Sequence, residues 1–191
     1  MLLRDQHPEH SDLIAFGDHC NWAWECHQIA KRYCDDPAIV GWCDIDLQLA
    51  AILKEYALLQ IAKIHDPAKS CGHENHTMHQ YCERYDCDYA SLMRDCTAFV
   101  ESVVQARKKT IAHSDLEVIR SDSRLGTFKE GDDDRYFEIL HLAVNALYAK
   151  AGIGPFPDWP TFITNDVTAS IEKMRQLTSR SSGRADARHS T

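Results

Sequence analysis

The chain has 191 residues, eight cysteines and a formal net charge of −8. This length fits one domain and is enough to bury a substantial core. The tail from Ser179 onward has three arginines and one aspartate, a net of +2, so residues 1–178 sum to −10 (−8 minus +2). Such an acidic body excludes a protein that coats nucleic acid through a broad basic face, but not one with a small basic pocket.

The sequence indicates a soluble, cytoplasmic protein. No apolar run approaches the ~18 residues of a membrane span, and Met1–Arg4 leads directly into polar residues. Cys20, Cys26, Cys34 and Cys96 fall within helical patterns, which is typical of buried reduced thiols. Disulfides are therefore not expected.

Apolar residues recur at steps of three and four in the first half of the chain, and this pattern predicts helices. The first long helix is predicted over Ser11–Cys34. The segment Ile45–Ile64 is apolar nearly all round, which is typical of a central helix or of one that faces another subunit. Residues 68–77 are predicted as a loop, and Thr77 as the cap of a short helix over Met78–Tyr85.

The apolar pattern in the second half of the chain predicts three more helices. A long amphipathic one covers Tyr89–His113, with its apolar stripe at Leu92, Cys96, Phe99, Val103 and Ala106. After a polar connection, a helix runs from Asp132 to Lys150 and is ended by Gly152. A last helix begins near Asn165–Asp166.

These elements predict an all-α fold, a bundle of four or five substantial helices plus short ones. We expect a single helical domain over residues 1–178. The serine- and arginine-containing tail, residues 179–191, is predicted to be disordered.

Arg107 and His113 lie six positions apart at the end of the predicted long helix, with Lys108 and Lys109 between them. An arginine and a histidine on one anchored helix suit phosphate chemistry. The simpler alternative is that cations in the last turns of a helix are favoured by its dipole, by about 0.3–1 kcal/mol each. On a continuous helix the two side chains would lie roughly 120° apart around the axis and about 9 Å apart along it. They converge only if the arginine reaches back, the helix unwinds or a second copy completes the site.

Three short segments, in this order, carry a family resemblance. Tyr56–Leu59 leads through Ile61–Lys63 to Asp66–Ala68, then comes Asn75–Thr77, and Arg107–His113 follows. The first looks like the second helix, with its exit, of the abortive-infection U-type branch of the HEPN superfamily. The second segment resembles that branch's Asn-Leu-Ser/Thr turn, and the third the superfamily's arginine–histidine motif with five intervening residues.

The resemblance implies a HEPN-like domain that acts as a metal-independent endoribonuclease. Arg107 and His113 would be catalytic in a homodimeric site, and Lys108 and Lys109 would bind RNA phosphate. It implies no cofactor, RNA as partner, and a role in phage defence or in a toxin–antitoxin system with an antitoxin protein. Lys108 stands where such motifs often have an amide or acidic residue, and His76 where the turn has an aliphatic one. An inactive relative that binds RNA, nucleotides or a protein is therefore the alternative.

A second group of residues could hold a metal ion. Zinc ligands of the right type cluster at Cys71, His73, His76, His79 and Cys82, with Cys87 beyond. Their spacing matches no zinc-finger or protease motif, so we expect an exposed histidine-rich loop without bound zinc. His27 is predicted to be a core histidine, and Asp132–Asp134 a solvated helix start.

Overall fold

The structure, a computed structural model, describes residues 3–35, 44–108 and 128–159 and the helical positions Ala169 and Lys173. The helices are α1 Leu3–Gln6, α2 Ser11–Asp35, α3 Asp44–Ile64, α4 Met78–Arg84, α5 Tyr89–Leu92, α6 Thr97–Ala106 and α7 Asp132–Ala151. Short 3₁₀ turns cover Pro8–His10 and Arg94–Cys96, and the strands are β1 Lys69–Ser70 and β2 His73–Glu74. The predicted all-α class is confirmed.

One hydrophobic core joins the long helices. α2 packs along α3, and α6 and α7 contact this pair. The largest fully buried side chains are Tyr81, Tyr136, Tyr148, Phe16, Phe137, Leu13, Ile61, Ile64, Met78, Met93, Leu140 and Leu147. The apolar stripes that the sequence shows in α2 and α7 supply five of these residues: Leu13, Phe16, Phe137, Leu140 and Leu147. The pattern therefore predicted which faces of these two helices turn inward.

Several predicted helix boundaries are confirmed. α2, α3 and α7 begin and end within one residue of their predicted limits. The Thr77 hydroxyl accepts a hydrogen bond from the backbone N–H of Gln80 at 3.4 Å and so caps α4. Gly152 ends α7 with φ 72°, a left-handed conformation that glycine adopts without strain.

The prediction of one helix over Tyr89–His113 is wrong in its first part. The chain there forms α5, a 3₁₀ turn and only then α6. The Asp88 carboxylate caps α5 separately by accepting from the N–H of Ala90 at 3.1 Å. Between α5 and α6 the N–H of Cys96 donates to the carbonyl of Met93 at 3.1 Å, the bond of a 3₁₀ turn, and the Thr97 hydroxyl lies 3.1 Å from the carbonyls of Met93 and Arg94.

The loop predicted over residues 68–77 contains a small hairpin. Lys69 pairs with Glu74 and Ser70 with His73 in antiparallel register. Cys71 and Gly72, at the turn, have φ 48° and 82°. This combination is typical of the tight turns that join two antiparallel strands.

Some predictions fall outside the described residues: Lys109 and His113, the start of the last helix near Asn165–Asp166, and the tail 179–191. Ala169 and Lys173, further along that predicted helix, are helical. Among the helices that are described, none combines the length and the apolar character that crossing a bilayer requires.

Candidate functional site

Arg107 lies where the regular part of α6 ends. Phe99, Val100, Val103 and Ala106 bury one face of α6 and fix its rotation. Arg107 and Lys108 then form a π-helical turn, a wider winding than the α-helix before it.

The guanidinium of Arg107 is held by Asp66. Its Nη1 donates to Oδ1 of Asp66, and the side chains are 29% and 21% exposed. α3 has just ended at this point, because Pro67 cannot continue a helix. This contact joins the end of α3 to the end of α6 across 41 positions of sequence.

Asn75 fixes the backbone that follows Asp66. Its backbone N–H donates to the carbonyl of Ala68 at 2.8 Å, and its side-chain Nδ2 donates to the carbonyl of Pro67 at 2.8 Å. The three sequence segments that carry the family resemblance therefore meet at one place, with Asp66–Ala68 in the middle. Such a fixed support limits where the Arg107 side chain can reach.

His65, next to Asp66, connects the end of α3 to the protein interior. Its Nδ1 lies 3.0 Å from Oη of Tyr89, and its Nε2 lies 2.8 Å from Oη of Tyr136. Burial, with a smaller contribution from the nearby His79, lowers the pKa of His65 to about 3. The imidazole is therefore neutral near pH 7, and it is a structural group that links α3 to α5 and α7. The sequence does not reveal this network, because its members are separated by 24 and 71 positions.

Of the other predicted site residues, Lys108 is described and exposed. Lys109 and His113 lie outside the described residues, so the geometry joins Arg107 to Asp66 but gives no position for the histidine. A histidine that acts as a general base must come within hydrogen-bond reach of the proton that it removes.

The cysteine- and histidine-rich loop does not assemble a ligand set. Cys71, His73 and His76 are exposed, while Cys82 is buried in the core. His76 Nδ1 lies 3.1 Å from the hydroxyl of Tyr81. His79 stacks on the ring of Tyr89 with centroids 3.8 Å apart.

Another polar cluster lies between α2 and α7. His27 is 8% exposed, as predicted for a core histidine, and packs on the Phe137 ring. Burial is the main cause that lowers the pKa of His27, against the opposing effect of Asp133. Asp133 is 9% exposed and its Oδ2 lies 3.0 Å from Nε2 of His27. The interpretation of the aspartate run as a solvated helix start is therefore wrong for Asp133, because α2 covers it.

Lys31 and Asp134 complete this cluster. The Nζ of Lys31 donates to both carboxylate oxygens of Asp134 at 2.8 Å and lies 3.8 Å from Oδ2 of Asp133. A cavity of about 530 Å³ opens beside these residues. The aspartate run was visible in the sequence, but nothing local connected it to a histidine 106 positions earlier (133 minus 27).

Comparison of the chain with family models, with curated proteins and with solved structures finds no match.

Proposed function

We propose that this protein is a metal-independent endoribonuclease of HEPN type, with Arg107 and His113 as its catalytic residues. The observation that carries the proposal is the Arg107–Asp66 pair, which gives a half-buried arginine a fixed place beside the exposed Lys108. A guanidinium has five N–H donors, so donation to one carboxylate oxygen leaves others for a phosphate.

The reaction uses the 2′-hydroxyl of the RNA itself. A base removes the 2′-hydroxyl proton, the 2′-oxygen bonds to the neighbouring phosphorus, and the bond from phosphorus to the 5′-oxygen breaks. The leaving 5′-oxygen takes up a proton, and the products are a 2′,3′-cyclic phosphate and a 5′-hydroxyl. His113 serves as base or acid, and Arg107 stabilises the charge that grows on the phosphate.

Asp66 would then be a positioning residue, since it contacts the arginine and not the RNA. Lys108 and Lys109 would add positive potential near the bound phosphate. The assembly would be a homodimer that brings two motifs together. A phage-defence or toxin–antitoxin role, with RNA as substrate and an antitoxin protein as partner, belongs to the same proposal.

A non-catalytic binding module is the second candidate. It is favoured by the same ion pair, because Asp66 already balances the Arg107 charge, and by the net charge of −8. In that case Arg107 and Lys108 would contribute to binding of RNA, nucleotide or protein without cleaving anything.

The test is incubation of the purified protein with total RNA in EDTA. Wild type should cleave and leave 2′,3′-cyclic phosphate ends, whereas Arg107→Ala and His113→Ala should each lose about 100-fold or more of the rate. The double variant should be no worse than either single one, because the two residues act as a unit. Arg94→Ala, which removes an exposed arginine bonded to Ser91, is the matched control and should cleave normally.

Two further variants examine the neighbours of Arg107. Asp66→Asn should lower kcat by about tenfold or more with KM little changed, since it misplaces the guanidinium without removing it. Lys108→Asn should be neutral or mildly activating, because an amide is the commoner neighbour of the arginine in such motifs. Cleavage of DNA as fast as RNA, or full activity in His113→Ala, would exclude this mechanism. RNA binding that needs Arg107 without any cleavage would instead support the binding module.

A further inference from the structure

His27, Asp133 and Asp134 form a compact group of possible metal ligands. One ligand atom from each lies within 4.8 Å of the other two, and within the described ranges no other set of three or more such side chains does so. Ligands about 2.1 Å from one ion are separated by roughly 3–4 Å, so side-chain adjustments of about 1 Å or less would bring the three ligand atoms to a single centre.

The Nε2 nitrogen of His27 has no hydrogen-bond partner in the described part of the chain. Nε2 of His27 is fully buried and, although it is 3.0 Å from Asp133 Oδ2, the contact lacks hydrogen-bond geometry. A buried polar atom without a hydrogen bond destabilises the folded state, because it has lost its bonds to water. A metal ion bound between the imidazole and the carboxylates would satisfy it.

Lys31 stands beside the carboxylates and already supplies one positive charge. Its ammonium donates to both oxygens of Asp134, and the Lys31 side chain is 36% exposed, so it can move into solvent when a metal ion binds these oxygens. A lysine in this place would compete with a metal ion for the same oxygens. Removal of the Lys31 charge should therefore strengthen metal binding, whereas most substitutions at a binding site weaken it.

The cavity has room for the water or anion ligands that would complete the coordination of a bound ion. It measures about 530 Å³, and its walls include the Lys54 and Lys129 side chains as well as His27, Asp133 and Asp134. Three protein ligands on one side leave the other side of an ion open to water. The two lysines would favour an oxyanion, such as a phosphate group, as a further ligand.

We propose that His27, Asp133 and Asp134 bind a divalent transition-metal ion, of which Mn²⁺ is an example, at the wall of this cavity. One imidazole nitrogen and two carboxylates, with no thiolate, suit manganese, iron or zinc. The site is separate from Arg107 and takes no part in the proposed cleavage, which is assayed in EDTA, so either proposal can fail without the other.

The test is titration of the purified full chain with Mn²⁺, measured by calorimetry and by electron paramagnetic resonance. Mn²⁺ is the probe because the thiols of the cysteine-rich loop prefer softer metals. We expect one ion per chain with nitrogen coupling from an imidazole. His27→Gln and Asp133→Asn should weaken binding by about tenfold or more, and His27→Gln should remove the nitrogen coupling.

Lys31→Met should strengthen Mn²⁺ binding severalfold, a gain that unfolding could not produce. Lys54→Met is its matched control, since it removes the same charge from the cavity wall. Asp95→Asn, at an exposed ion pair with Arg135, is the control for Asp133→Asn and should bind like wild type. The proposal is overturned if wild type fails to bind Mn²⁺, if His27→Gln and Asp133→Asn bind normally, or if Lys31→Met gains no more than Lys54→Met.

Discussion

Burial determines the charge that His65 carries in the folded protein. It is 5% exposed, both of its ring nitrogens face tyrosine hydroxyls, and its pKa falls to about 3. A neutral imidazole donates one hydrogen bond and accepts one, which matches two hydroxyl partners. Protonation would break this arrangement. The packing of α3 against α5 and α7 therefore depends on pH through His65.

Acidification destabilises the folded protein through His65. An unfolded histidine titrates near pH 6.5, so between about pH 6.5 and pH 3 the unfolded chain binds a proton that folded His65 does not. Stability is therefore fully present above this window and is lost as the pH falls through it. The loss from His65 alone should be about 2 kcal/mol at about pH 5.

Urea unfolding at about pH 7 and about pH 5 measures this effect. His65→Gln should be less stable than wild type at both values, but it should lose less stability between them. His73→Gln, at an exposed position of β2, is the control and should keep the wild-type difference. If His65→Gln shows the full wild-type dependence on pH, His65 does not titrate as proposed.

At the scale of elements, α2 and α7 approach each other closely at Gly17. A Cβ built on Gly17 would collide with the hydroxyl oxygen of Tyr148 and lie 3.0 Å from the Phe156 ring. Tyr148 is 2% exposed and has little freedom to move away. The absence of a side chain at Gly17 therefore permits this contact, and it costs some helix propensity in return.

Gly17→Ala should therefore destabilise the protein by about 1–3 kcal/mol, the usual cost of overpacking a core. In a Tyr148→Phe background the same substitution should cost less, because the colliding oxygen is gone and alanine favours the helix by about 1 kcal/mol. Thermal or urea unfolding of the four proteins gives the coupling energy. Equal costs in both backgrounds would mean that the two elements do not meet at this contact.

On the scale of the whole molecule, α3 does not bury its whole apolar surface in the described part of the chain. Ile52 is 60% and Tyr56 44% exposed, and they lie one helical turn apart. The proposed active site needs two copies of the chain, and an exposed apolar stripe is a surface on which a second copy can pack. We therefore expect the homodimer interface to include this face of α3.

Light scattering at micromolar concentration should give the mass of a dimer. Ile52→Glu should shift the protein to monomer and reduce RNA cleavage in parallel, because a buried charge is costly in an interface. Leu142→Glu changes a leucine that is 67% exposed on α7 and should leave the dimer intact. A wild-type monomer that cleaves RNA at full rate would contradict the dimeric site.

The sequence by itself determined where the long helices lie and which side of α2, α6 and α7 faces the core. The stripes of α2, α6 and α7 are buried as predicted, and Thr77 and Gly152 act as helix boundaries. Local signals of this kind depend on residues one or two turns apart, so one sequence contains them. Even where the helix over Tyr89–His113 proved to be broken, Met93 and Cys96 remained buried.

Only the tertiary structure decided which distant residues meet. It placed Asp66 against Arg107, His65 between two tyrosines, and His27 beside Asp133. The charge run at Asp132–Asp134 predicted a helix start correctly, but burial of Asp133 depends on α2, which is far away in sequence. Periodicity specifies the face of a helix, whereas the partner of that face depends on how all the helices pack together.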